Sequence, residues 1–91
     1  MDKANGANPI ILVVEDIHET REGIEKLLKA DGYRISLARD ESEAIENVQQ
    51  KSPDLILVSL PGSPNEIIMT AKRIREAADQ GPPVPVVIFL S

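Results

Sequence analysis

Three apolar runs in this chain end on side chains able to do chemistry. Ile10-Ile11-Leu12-Val13-Val14 stops at the carboxylate pair Glu15-Asp16, Leu55-Ile56-Leu57-Val58 stops at Ser59, and Val86–Leu90 stops at Ser91. Open α/β sheets keep their reactive groups at the mouths of strands, so these residues form the first candidate set. Adjacent carboxylates also suit the positive N-terminal end of a following helix, which is the simplest role for Glu15-Asp16. A serine hydroxyl can be phosphorylated, but it needs a general base to take its proton. His18 follows the acidic pair by two residues and would be a phosphoryl donor or metal ligand if it faced the strand end; a solvated helix position is the plainer reading. The turn Glu15-Asp16-Ile17-His18 holds no glycine and two negative charges, so it repels a nucleotide phosphate rather than cradling it.

The elements that must position these groups are legible in the apolar pattern. Pro9 opens the first run, which shows no alternation and reads as a strand covered on both faces. Ile17, Ile24, Leu27 and Leu28 have helical spacing, and Asp31-Gly32 ends that helix. Tyr33, Ile35 and Leu37 alternate with Arg34 and Ser36, as on a strand near a sheet edge. Asp40 with Glu43 resembles a capping box ahead of the apolar stripe Ala44, Ile45, Val48. Lys51-Ser52-Pro53 breaks this helix and leads into a strand over 54–60. Pro64-Asn65 begins a third helix with Ile67, Ile68, Ala71, Ile74 and Ala78 along one face, and 79–83 is a loop before the strand Val86–Leu90. The order β-α-β-α-β-α-β predicts a parallel sheet with helices on both faces. Residues 1–8, small and polar, read as a disordered tail.

Bulk composition narrows the function classes. Ninety-one residues make one domain whose folding buries about 60–70% of its unfolded surface. Apolar residues are 42% of the chain, and with Tyr33 and Phe89 the only aromatics, the core is aliphatic. The absence of cysteine excludes disulfides, thiolate metal sites and cysteine nucleophiles, and fits the cytoplasm. Net charge is −5 and the Lys72-Arg73 and Arg75 cluster is short, so direct nucleic-acid binding is not expected. No apolar run is long enough to span a membrane.

Taken together, ILVVED at 11–16, DGY at 31–33, RDESEAIE at 39–46, PDLILVSL at 53–60, KRIR at 72–75 and PVVIFLS at 85–91 resemble the receiver domain of two-component response regulators. The resemblance implies a flavodoxin-like doubly wound parallel sheet, here shortened to about four strands and three helices across residues 9–91, without the family's fifth strand, its lysine and its last helix. It also implies phosphoryl transfer from a histidine kinase to an aspartate at the end of strand 3. Mg²⁺ would be held by an acidic pair, the acceptor and a backbone carbonyl two residues further on, and the phosphoryl group would meet a Ser/Thr after strand 4. Carried onto this chain, the acidic pair is Glu15 and Asp16, the carbonyl belongs to Pro61, and the switch residue is Ser91. The acceptor position falls on Ser59, where aspartate is expected, and Asp54 stands at the wrong end of the strand to replace it. In the loop that follows, the family's proline and glycine are Ser63 and Ile67.

The expectation is therefore a phosphorylation-deficient receiver with a vestigial, weak Mg²⁺ site and no enzymatic activity. It would act through contacts with a histidine kinase, a phosphotransfer protein or an output module. One alternative is a switch that is phosphorylated at Ser59 or a nearby acid; a more distant one is a small cofactor-binding α/β protein. The apolar strand near the C-terminus carries no lysine to blunt its edge, so self-association through residues 84–91 is a further expectation.

Overall fold

The run Ile10–Glu15, rich in β-branched residues, forms strand β1, and every residue of it from Ile11 onward is buried. It is followed by α1 (His18–Ala30), β2 (Arg34–Ala38), α2 (Glu41–Lys51), β3 (Leu55–Ser59), α3 (Pro64–Ala77) and β4 (Val86–Ile88). The computed structural model describes residues 8–78 and 83–90. The tail expected at residues 1–8 (save Asn8), most of the 79–83 loop and Ser91 lie outside the described residues. The four strands make one parallel sheet in the order β2-β1-β3-β4. The chain leaves β1 for β2 on one side and returns to β3 on the other. The sheet therefore reverses its winding between β1 and β3, and their C-terminal ends flank the crevice where such sheets bind ligands.

Side chains alternate across a strand, which divides the interior in two. On one face Leu12, Val14, Ala38, Ile56 and Val58 pack with Ala44 and Val48 of α2 and with Ile67, Ala71 and Ile74 of α3. On the other face α1 lies over β1 and β2. No α1 residue is buried. Of its expected stripe, Ile24 and Leu28 are half-buried, whereas Ile17 is 55% and Leu27 69% exposed. Among the described residues α1 is alone on its face, so its flanks have nothing to pack against.

Helix ends follow local chemistry. Gly32, at φ +93°, lets the chain leave α1: its N–H bonds the Lys29 carbonyl while that of Tyr33 bonds Leu28. Asp40 caps α2 by accepting from the Glu43 N–H at 2.9 Å, but the Glu43 carboxylate accepts from the Arg39 N–H, one residue outside the expected box. A complete capping box, not expected from the sequence, closes the start of α3: Ser63 accepts from the Glu66 N–H and Glu66 from the Ser63 N–H.

Three further expectations change in the fold. Strand β4 spans three residues rather than 86–90; β3 ends at Ser59, and after the Phe89 N–H donates to the Val58 carbonyl little partner strand remains. On β2 the buried side is Ser36 and Ala38, not Ile35 and Leu37. Ser36 can be buried because its hydroxyl bonds the Asn47 side-chain carbonyl, while the Asn47 amide donates to the Leu37 and Glu43 carbonyls. Ile68 is exposed, because the face of α3 set by Ile67, Ala71 and Ile74 lies about 100° of helical turn away from it.

Candidate functional site

Glu15 and Ser59 are Cα partners across β1 and β3, the last residues of the two central strands. In-register partners project to the same face, so the acidic strand end and the hydroxyl strand end form one site. Asp54 is excluded from it. Its carboxylate accepts the Ile10 N–H at 2.8 Å, and its own N–H donates to the Ile10 carbonyl, at the opposite end of the sheet.

Glu15 is 3% exposed, and a carboxylate that deep needs partners. Its Oε2 accepts the Ile17 N–H at 3.0 Å, bending the chain tightly from β1 into α1. Asp16 is exposed. Arg21, half-buried one turn into α1, donates from Nη1 to the Glu15 carbonyl at 2.8 Å and reaches the Asp16 carbonyl at 3.5 Å. Its Nη2 lies 3.2 Å from His18 Nδ1, and His18 Nε2 lies 3.2 Å from a Glu22 carboxylate oxygen. A neutral imidazole protonated at Nε2 satisfies both contacts, accepting from Arg21 and donating to Glu22. The largely exposed His18 side chain is thus tied to the surface of α1, in line with the solvated reading.

Ser59 is half-buried and its hydroxyl has no hydrogen-bond partner among the described residues. Beyond it the chain turns through Leu60, Pro61 and Gly62 into the Ser63 cap. Gly62 adopts φ +137°, and a Cβ there would come within 3.2 Å of a Glu66 carboxylate oxygen, so the turn requires glycine. Pro61 is exposed on this turn. The Ser63 N–H and then its hydroxyl hold the Glu66 carboxyl below the usual carboxylate range, which places that charge in the cap.

Clefts indent the surface formed by the described residues. One of about 480 Å³ adjoins the site among Leu60, Pro61, Glu66, Met69 and Arg73. Another, about 530 Å³, lies at the other end of the sheet among Val48, Asp54, Ala77 and Pro85, away from Glu15, Asp16 and Ser59. Beside the smaller cleft Arg73 grips Glu41 through two bonds, of 2.7 and 3.0 Å, joining α3 to α2. That pairing lowers the Glu41 carboxyl and raises the Arg73 guanidinium.

A divalent metal would meet two carboxylates at this strand end, those of Glu15 and Asp16. Among the described residues there is no group of three or more His, Cys, Asp or Glu side chains able to hold an ion. Of the two carboxylates at the strand end, one is already hydrogen-bonded by a backbone N–H. Ser91 lies outside the described residues, so its place relative to Ser59 is not part of this geometry. Arg21 is the residue that the sequence reading passed over. Its signal was an arginine one turn beyond His18, on a helix that starts at the acidic strand end.

No helix among the described residues is long and apolar enough to cross a membrane. The family model for the response regulator receiver domain matches residues 11–91. The transcriptional regulatory protein DltR of Streptococcus agalactiae is 33% identical over 81 residues, covering 89% of this chain and 34% of that protein. The chain thus spans about a third of the length of that regulator. The receiver domain of a sensor histidine kinase of Pseudomonas aeruginosa, solved with a magnesium ion coordinated in its active-site cleft, is 31% identical. It superposes with a TM-score of 0.71 over 90% of this chain and 66% of its own. The Vibrio cholerae chemotaxis protein CheY4 shares the fold with a TM-score of 0.74 at 21% identity, over 90% of this chain and 68% of its own.

Proposed function

The chain belongs to the response regulator receiver domain family of two-component signalling, and on that premise we propose that it is a phosphorylation-deficient receiver that signals through protein contacts. The observation that carries this reading is Ser59, a hydroxyl, facing Glu15 where the strand ends meet. An acyl phosphate forms only on a carboxylate oxygen, and the buried Glu15 carboxylate is engaged by the Ile17 N–H. The metal follows the same logic: with two carboxylates in place of three, Mg²⁺ binds weakly or not at all. The partners in this reading are a histidine kinase, a phosphotransfer protein or an output module, encountered in the cytoplasm. The outer edge of β4, unpaired among the described residues, adds self-association through residues 84–91.

The test is incubation with acetyl phosphate and Mg²⁺ followed by intact mass and peptide mapping. No adduct is expected. A hydroxylamine-labile gain of about 80 Da, the mass of one phosphoryl group, within residues 59–66 would refute the reading. The register that sets a hydroxyl strand end beside a carboxylate strand end favours one second reading, a switch phosphorylated on Ser59 or a nearby acid. A hydroxylamine-stable adduct on Ser59 would identify it.

A further inference from the structure

The proposal concerns the outer edge of β4 and rests on the reading that residues 84–91 mediate self-association. We propose that a second copy of this chain pairs antiparallel with β4, about a two-fold axis at Val87, and so continues the sheet across both copies.

The direction of each backbone group decides which residues can take a partner. The Pro85 carbonyl accepts the Ile56 N–H, and the Phe89 N–H donates to the Val58 carbonyl, so residues 85, 87 and 89 turn their backbone groups inward to β3. Backbone groups alternate sides along a strand, which leaves Val84, Val86, Ile88 and Leu90 with N–H and C=O groups pointing outward. Pro83 and Pro85 both fall in the inward set, so neither removes a donor from the outer edge. In an antiparallel pair the outward residues bond one another, and a two-fold axis at Val87 pairs all four of them: Val86 with Ile88 of the second copy, and Val84 with Leu90. Val87 then meets its own counterpart and Phe89 meets Pro85, in the close positions where Cα atoms stand about 4.5 Å apart. This register covers side chains that the single chain leaves bare, since Val87 is 41%, Phe89 51% and Leu90 52% exposed. Helix α3 fits the same seam. Arg73 points to Glu41 of α2, and Ile68, about 140° further round the helix, stands on the opposite flank, above the β4 edge. The α3 of a second copy would lie along that flank. Charge favours the approach as well: each copy carries −5, yet no charged residue lies between Gln80 and Ser91.

The chain has no cysteine, so single cysteines introduced into it report the register. Light scattering of the wild-type 91-residue chain should give twice the monomer mass at high concentration. Val87→Cys sets two thiols at a Cα separation that a disulfide spans, and should convert to a covalent dimer in oxidised glutathione. Phe89→Cys is exposed on the same face but would stand about 13 Å from its counterpart, four residues along the strand, and should stay uncrosslinked. A wild-type dimer in which Val87→Cys crosslinks no faster than Phe89→Cys overturns the register and leaves the self-association reading standing. A wild type that is monomeric at every concentration overturns both, and assigns the edge to a strand from outside these 91 residues.

Discussion

Replacing Ser59 with aspartate (Ser59→Asp) would set a second carboxylate beside Glu15 on the neighbouring strand. Adjacent strands run about 4.8 Å apart, so the two charges would stand about 5 Å from each other. At that distance two unit charges repel by about 3 kcal/mol at an effective dielectric of 20, and by less than about 1 kcal/mol in water. Glu15 is 3% exposed and Ser59 half-buried, so the cost lies between these limits, at about 1–3 kcal/mol. For a domain of this size that is a fall in Tm of roughly 5–20 °C in EDTA. Mg²⁺ should reverse it, since a bound ion screens the new pair, and at ten times its Kd it stabilises by about 1.4 kcal/mol. The assay is a set of thermal melts by circular dichroism, wild type beside Ser59→Asp, in EDTA and across a Mg²⁺ series. Equal melting in EDTA would show that the two positions do not share a site. An equal Mg²⁺ response in the two proteins would remove Glu15 and Asp16 from the metal-binding reading.

Asn47→Leu would strand the buried Ser36 hydroxyl and should cost about 1–3 kcal/mol in urea unfolding; adding Ser36→Ala should recover most of it, and strictly additive losses would show that the pair is not coupled. Ser63→Ala should cost about 1 kcal/mol at neutral pH by removing the N-cap of α3. Because Ser63 holds the Glu66 carboxyl below its ordinary 4.5, this part of the stability is fully present above pH 4.5 and lost as pH falls through the lowered value. The Ser63 N–H, the larger cause, stays in Ser63→Ala, so this part is read against Glu66→Gln: the gap between wild type and Glu66→Gln should narrow in acid, and a gap that widens would refute the assignment. Glu41, lowered by Arg73, should add to the same acid sensitivity. Self-association at β4 is best tested with Val87→Lys, since Val87 is exposed whereas Ile88 packs against the core. Light scattering should show the lysine variant monomeric at concentrations where wild type associates, and a monomeric wild type would remove the idea.

The strands and helices were legible because their signals are local. A run of five branched aliphatic residues reads as a buried strand, Asp31-Gly32 as a helix end and Lys51-Ser52-Pro53 as a helix break. The motif order carried the topology, and with it the assignment of Ser59 to the acceptor position. The complete cap at Ser63 and Glu66 was also written in the sequence, as a serine followed three residues later by glutamate, and was passed over. Tertiary structure alone decided which apolar residues are covered. Ile17 and Leu27 have the spacing of a buried stripe, yet a helix face is buried only where another element lies against it, and among the described residues α1 packs on β1 and β2. It decided that Ser36 rather than Ile35 points into the core, because the hydrogen bond that permits this comes from Asn47 on another helix. It also joined Glu15 to Ser59 and turned Arg21 back onto the strand end. Glu15 and Ser59 are far apart in the chain and become neighbours through the register of a parallel sheet. The Arg21 contact depends on a tight turn that places the first turn of a helix against the carbonyls of the strand before it.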